Sequence, residues 1–147
     1  MTATTDFLIA DHDALETLNH QFNNADHPRL RQQIFDQTHL ELAKHTKAEQ
    51  EVVYPLVRTH VPDGPAIVEH ARKEHSDAAA KAQELALLTA NHPTFATKYA
   101  QLMAAVMHHA GEEENNMFHL IDRHFPAKIH DEVVADLKRV KQGVIQP

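Results

Sequence analysis

His45-Thr46-Lys47-Ala48-Glu49 and, sixty-four residues further on, His109-Ala110-Gly111-Glu112-Glu113 repeat one pattern. Each sets an imidazole and a carboxylate four residues apart, so on a helix both project from one face, one turn apart. A single histidine precedes each pair, and His12 and His75 are sixty-three residues apart. The repeat extends to apolar positions: Phe35 matches Tyr99, Leu42 matches Val106, Tyr54 matches Phe118, and Leu56 matches Leu120. The chain therefore reads as two similar helical hairpins.

Periods of three and four residues place the helices. The first is expected from about Asp6 to Asn24, after a polar arm over residues 1–5 and a cap at Thr4 or Thr5. Its inward stripe is Leu8, His12, Leu15 and Phe22. The second runs from about Arg29 to Tyr54 and on towards His60, with Leu30, Ile34, Thr38, Leu42, His45, Glu49 and Val52 inward. Pro55 removes a helical hydrogen bond and predicts a kink or stop there. After the turn Val61-Pro62-Asp63-Gly64-Pro65, a third helix spans Ala66 to Thr89 with His75 on its stripe. A fourth spans Phe95 to His124, with Leu102, Val106, His109, Glu113 and Met117 inward. Pro126 stops it, and a short amphipathic helix covers Ile129 to about Gln142. Short breaks between the long helices give an all-α, antiparallel up-down four-helix bundle with a short C-terminal fifth helix, in one domain over 1–147 with its core at about 6–125.

Composition narrows the function classes. Gly is scarce at 3, Cys is absent, and the formal net charge is −7 with both signs interspersed. No cysteine means no disulfide, iron–sulfur cluster, thiolate zinc site or cysteine nucleophile. The acidic balance offers no footprint for nucleic acid. No apolar run approaches the roughly 20 residues a membrane helix needs, and Met1 to Asp13 has no secretory pattern. A cytoplasmic location is the expectation.

Histidine stands out, at 14 of 147 residues. Four of the fourteen fall on inward stripes together with Glu49 and Glu113. Buried imidazoles and carboxylates are costly unless paired or bound to metal. Converging in one layer, His12, His45, Glu49, His75, His109 and Glu113 suit a pair of divalent ions such as iron or manganese. Ferritin-like sites carry Glu-x2-His instead, and the zinc-protease pattern His-Glu-x2-His is absent. The rival frame His108-x3-Glu112 is rotated about 100° from the stripe and should face away. His70 is expected at the stripe boundary and Glu74 in solvent or behind His75. His60 and His124 are expected at helix ends. His20, His27, His39, His92, His119 and His130 are expected at the surface, Met103, Met107 and Met117 as packing residues, and Tyr54 as core filler or, alternatively, a proton or hydrogen-bond donor near the metals.

His12 in Asp-His-Asp, His45-x3-Glu49 before Tyr54-Pro55, Glu74-His75, and His109-x3-Glu113 before Phe118 together resemble the hemerythrin-like (HHE cation-binding) family over about residues 6–125. The resemblance implies two iron ions, with Glu49 and Glu113 bridging or spanning them and an oxo, hydroxo or water bridge between. It implies binding of O2, peroxide or nitric oxide. Oxygen-carrying members have His-x3-His on the third helix and His-x4-Asp on the fourth. Here Ala71 stands four before His75 and Glu113 replaces the aspartate, as in the His/His-x3-Glu/His/His-x3-Glu subgroup of bacterial hemerythrin-like proteins. One fewer imidazole leaves coordination for solvent or substrate.

Three functions compete on this reading. One is a binding or sensing protein for O2, peroxide or nitric oxide. Another is a catalase-like, peroxide-consuming enzyme, and the third is iron storage or donation. Manganese or zinc accepts the same donors, so either is a substitute for iron. No catalytic residue, organic cofactor or oligomeric state follows from the residues.

Overall fold

The computed structural model describes residues 1–147. It is all-helical, and its five rods follow the expected order. Helix α1 is Ala3–Asn24. The second rod is continuous: α2 (Pro28–Ala48), one widened turn at Glu49–Val53, then α3 (Tyr54–His60). Helix α4 is Gly64–Ala86. The fourth rod repeats the second, with α5 (Phe95–Glu112), a widened turn at Glu113–Met117, and α6 (Phe118–His124). A 3-10 turn at Ala127–Ile129 leads into α7 (His130–Gly143). No helix is long and apolar enough to cross a membrane.

Three local differences from the sequence reading have physical causes. The first helix starts earlier because Thr2 and Thr5 form a reciprocal capping box. Both hydroxyls also donate to Asp122 Oδ1, at 2.6 and 2.8 Å, which ties the expected arm to α6. Pro55 neither stops nor sharply ends its helix. It sits in the first turn after a π-type turn, in which the Tyr54 N–H reaches back five residues to the Glu49 carbonyl. The twin turn has Phe118 N–H bonded to the Glu113 carbonyl with His119 in place of a proline, so proline is not the cause. Finally, α4 ends at Ala86 instead of Thr89, and Ala90 N–H is taken by the Gln32 side chain.

The hairpins pack α1 against α2 and α4 against α5, while α7 lies along α1 and α2. The turn between the hairpins is tight. Asp63 takes φ 57°, and a Cβ on Gly64 would meet the Val57 carbonyl oxygen at 2.2 Å. The apolar core is split in two. One cluster gathers Leu8, Val53, Val57, Val68, Phe118, Ile121 and Leu137, and the other Leu15, Phe22, Phe35, Ala82, Leu85, Tyr99 and Leu102. Between Leu8 and Leu15 on α1 lies His12, so the layer that separates the clusters is polar.

Candidate metal centre

Four rods each deliver side chains to that layer. His12 comes from α1, His45 and Glu49 from the second rod, His75 from α4, and His109 and Glu113 from the fourth. All six are buried, Glu49 completely and Glu113 to 2% exposure. The four imidazoles form two pairs. His12 and His45 have ring centroids 5.0 Å apart, and His75 and His109 4.7 Å apart. The carboxylates connect the pairs crosswise. Glu49 Oε1 lies 3.0 Å from His45 Nε2 and 3.2 Å from His75 Nε2. Glu113 Oε1 lies 3.3 Å from His12 Nε2 and 3.4 Å from His109 Nε2.

The outward ring nitrogens have firm partners. His45 Nδ1 is 2.8 Å from Asp11, His12 Nδ1 2.8 Å from Glu114, and His109 Nδ1 2.7 Å from Glu74. The Gln50 side-chain amide lies 3.2 Å from His75 Nδ1. A carboxylate accepting Nδ1–H fixes the tautomer that leaves Nε2 as a lone-pair donor, and metal-binding histidines are held in this way. These four partners obey the repeat, since Asp11 and Glu74 precede His12 and His75, while Gln50 and Glu114 follow Glu49 and Glu113.

The inward atoms are different. His12, His45 and His109 Nε2, Glu49 Oε2 and Glu113 Oε1 are buried without any hydrogen-bond partner. Leaving one such group unpaired costs about 1–3 kcal/mol, more if it is charged. The N···O separations across the layer, 3.0 to 3.4 Å, exceed the 2.7 to 2.8 Å of the outer bonds. Nitrogen and oxygen ligands about 2.0–2.2 Å from a common cation sit at about this mutual spacing. A donor set of four imidazoles and two carboxylates, orphaned inward and braced outward, fits two borderline divalent ions.

The electrostatics agree. Burial pulls the His45 imidazole down, but the charge on Glu49 and the hydrogen bond to Asp11 outweigh it and hold the group up at about 10. Burial likewise pulls His109 down, and Glu113, Glu49 and Glu74 outweigh it and raise the group to about 9. Burial raises the Glu49 carboxyl, yet His45 and His75 bring it well below the usual carboxylate range. The pocket demands positive charge, and protons supply it when no other cation does.

A family model described as the hemerythrin HHE cation-binding domain matches residues 3–121. The chain belongs to the hemerythrin HHE cation-binding family. It is 25% identical over 141 residues to a DNA nickase of Nostoc sp., covering 96% of this chain but 40% of that protein. It therefore spans less than half of that relative. An uncharacterised hemerythrin-like protein of Schizosaccharomyces pombe is 24% identical over 145 residues, covering 98% and 71% of the two chains. The fold matches the crystal structure of a hemerythrin HHE domain-containing protein from Mycobacterium kansasii, a homologue of Rv2633c. That match has a TM-score of 0.78 at 18% identity and covers 97% and 89% of the two chains.

Two features in and near this hemerythrin-like layer differ from the favoured expectation. Tyr54 is not plain packing. Its hydroxyl donates to Glu113 Oε2 at 2.9 Å and lies 3.1 Å from His75 Nε2 and 3.4 Å from Glu49 Oε1. On a regular helix a residue five beyond Glu49 is about 140° away, whereas the π-type turn brings it back over the glutamate. Burial first, then the two glutamates, push the Tyr54 phenol well above its ordinary value, so it stays protonated as a donor. His130, expected at the surface, is buried, with Nδ1 2.8 Å from the Thr4 hydroxyl. That contact follows from the early start of α1, which places Thr4 inside.

A cleft of about 370 Å³ opens beside the layer, between α4 and the fourth rod. Ala71, Glu74, His109, Glu113 and Met117 line it, with His70 and Glu112 nearer its mouth. His108 and Glu112 do face away from the six-residue layer, and His108 is 67% exposed.

Proposed function

We propose that this hemerythrin-like chain holds two iron ions through His12, His45, His75, His109, Glu49 and Glu113, and that the centre binds O2, peroxide or nitric oxide as a binding or sensing protein. The observation that carries this is the set of buried nitrogen and oxygen atoms facing one another without partners, each imidazole braced from behind. Glu49 reaches one histidine of each pair and so does Glu113, which suits both to span two ions. Iron held by these residues would supply a one-electron couple and Lewis acidity, the chemistry needed to take up a diatomic ligand.

The chain's own groups set the conditions. Two apolar clusters above and below the layer exclude water and strengthen every charge interaction inside. Asp11, Glu114 and Glu74 fix three imidazoles in one tautomer. Tyr54 keeps a proton at its hydroxyl within reach of Glu113 and His75, where it can donate to an incoming ligand.

The cleft beside Ala71 favours a second reading, consumption of peroxide, because it gives a small polar molecule a path to the His109 and Glu113 side. Iron storage or donation has no comparable feature behind it. Nothing in the layer or the cleft favours a nucleic-acid substrate. The chain's formal charge is −7, and the relative named a DNA nickase is matched over only 40% of its length.

The test begins with metal analysis and a near-ultraviolet spectrum of aerobically purified protein. Two irons per chain and a di-ferric charge-transfer band are expected. An adduct that forms under O2 or nitric oxide and bleaches reversibly under argon supports binding. Evolution of O2 from added peroxide, lost in Glu113→Ala, supports the enzyme reading. Protein that takes up no iron overturns both.

A further inference from the structure

At the mouth of the cleft a second group of metal-type donors stands apart from the six buried residues. His70 Nε2 lies 3.1 Å from Glu112 Oε2 and 3.6 Å from Glu74 Oε1. His108 Nε2 lies 3.1 Å from Glu112 Oε1 and 3.7 Å from Glu74 Oε2. Two imidazoles on neighbouring helices thus face the same two carboxylates. Glu74 is 19% exposed and Glu112 35%, while the two imidazoles are largely in solvent, at 65% and 67%.

Three observations read together assign this group a ligand. The first is spacing. A tetrahedral ion with nitrogen and oxygen ligands at about 2.0–2.2 Å holds them roughly 3.3–3.5 Å apart, and His70 Nε2 stands 3.1 Å from Glu112 Oε2 and 3.6 Å from Glu74 Oε1, on either side of that value. Direct charge-assisted bonds between imidazolium and carboxylate are shorter, about 2.7–2.9 Å, as His109 to Glu74 is at 2.7 Å. The second is donor chemistry. An imidazole added to two carboxylates favours first-row divalent ions over magnesium or calcium.

The third is the internal repeat. Glu74 corresponds to Asp11, and each braces a buried histidine by its Nδ1. In the first half the ammonium of Lys141, from α7, sits directly on Asp11. No lysine or arginine is paired with Glu74 or Glu112 in the second half. The fold supplies a fixed cation to one brace and surrounds the other with ligands.

We propose that His70, Glu74 and Glu112 form a third, mononuclear divalent-cation site at the mouth of the cleft, with His108 on the other oxygens of the same two carboxylates. It takes a zinc-class or ferrous ion from solvent. It is more exposed than the inner layer, so it binds more weakly and exchanges faster. Because Glu74 also holds His109, an ion at the mouth draws on the same carboxylate that orients an inner imidazole. Occupancy outside therefore shifts affinity inside.

The test uses zinc alone, by equilibrium dialysis of the full chain. Wild type is expected to bind three equivalents, the last most weakly. His70→Ala/His108→Ala removes two exposed side chains and is expected to bind two, the weakest equivalent being lost and the inner two retained with shifted affinity. His45→Ala/His109→Ala is expected to lose inner equivalents and keep the outer one. Cobalt titration adds a geometric readout, because a four-coordinate cobalt ion at the mouth absorbs visibly and the band vanishes in the His70/His108 variant. A wild type that saturates at two, or a His70/His108 variant that still takes three, overturns the third site. One equivalent in wild type, lost in the His70/His108 variant and kept in the His45/His109 variant, would uphold the outer site while removing the inner pair.

Discussion

The two halves of the bundle present matching ligands in unlike surroundings. His12, His45 and Glu49 correspond to His75, His109 and Glu113, and even the widened turns at Glu49–Val53 and Glu113–Met117 coincide in the repeat. The grooves beside them do not match. In the first half α7 lies against α1 and α2, and its Val133 and Leu137 join the cluster that contains Leu8, Ala48 and Val53. The corresponding groove in the second half, lined by Ala71, Glu112 and Met117, is the open cleft. Leu8 fills the place four before His12, and Ala71 leaves the place four before His75 small. Duplication of the histidine–glutamate pattern thus sets where the polar layer lies, and what covers each half sets which side of it solvent can reach.

The largest effect should come from breaking the common element. Glu49→Ala and Glu113→Ala each remove a carboxylate that touches one histidine of both pairs. Each is expected to reduce bound iron from two per chain to one or none, measured by metal analysis after desalting. A variant that keeps two irons would mean that the carboxylates do not span the halves.

Access is the next difference to break. Ala71→Leu should fill the cleft wall and weaken azide binding to iron-loaded protein by about tenfold or more, an energy of about 1.4 kcal/mol, with iron content unchanged. The mirror change, Leu8→Ala, should cost about 2–5 kcal/mol of stability by cavity formation and leave azide affinity alone, because α7 still covers that groove. Equal azide losses in both variants would erase the distinction between the halves.

The pH dependence sharpens the electrostatic side. His45 and His109 are raised, to about 10 and about 9, by carboxylates that outweigh burial. In metal-stripped protein their protonated forms stabilise the fold fully below the ordinary histidine value, near 6.5, and this is lost as pH rises through 9 to 10. The melting temperature of stripped protein should therefore fall across that window, whereas zinc-loaded protein should stay level. Zinc addition at pH 7 should release protons, since the metal and the protons compete for the same nitrogens. Zinc uptake without proton release would contradict the raised values.

The bundle was legible in the sequence because its signals are periodic. Heptad-like spacing placed all five rods, and the same stripes picked out the six residues that the fold brings together. What stayed hidden depends on departures from periodicity. A reader who counts 3.6 residues per turn puts Tyr54 on the flank of the helix, and only the π-type turn carries it over Glu49. Residues that brace the imidazoles are adjacent in sequence to the ligands, yet their partners lie across the bundle: Asp11 holds His45 and Glu114 holds His12. Pairings of that kind follow from packing, which no single-chain pattern encodes. Thr4 and His130 were missed for a related reason, since a capping box moved the start of α1 and buried both.

The smallest expected effect is also the finest comparison of the halves. Tyr54 and Phe118 occupy equivalent positions, one giving a hydroxyl to Glu113 and the other stacking on His12 with ring centroids 5.5 Å apart. Tyr54→Phe would make the two alike. It removes a donor to a buried carboxylate, a bond worth about 1.5–3 kcal/mol when one partner is charged. With metal bound, part of that charge is already neutralised, so the loss of stability should sit at the lower end and both irons should remain. The altered property should be proton supply. Any peroxide turnover should slow in Tyr54→Phe, with a changed solvent isotope effect, while azide affinity moves little. Phe118→Tyr tests the converse, because a hydroxyl added beside His12 has no cleft behind it and should not restore the rate. Restoration in the double variant would mean that the halves are interchangeable in chemistry as well as in ligands, and the open groove would then lose its claim to be the reactive side.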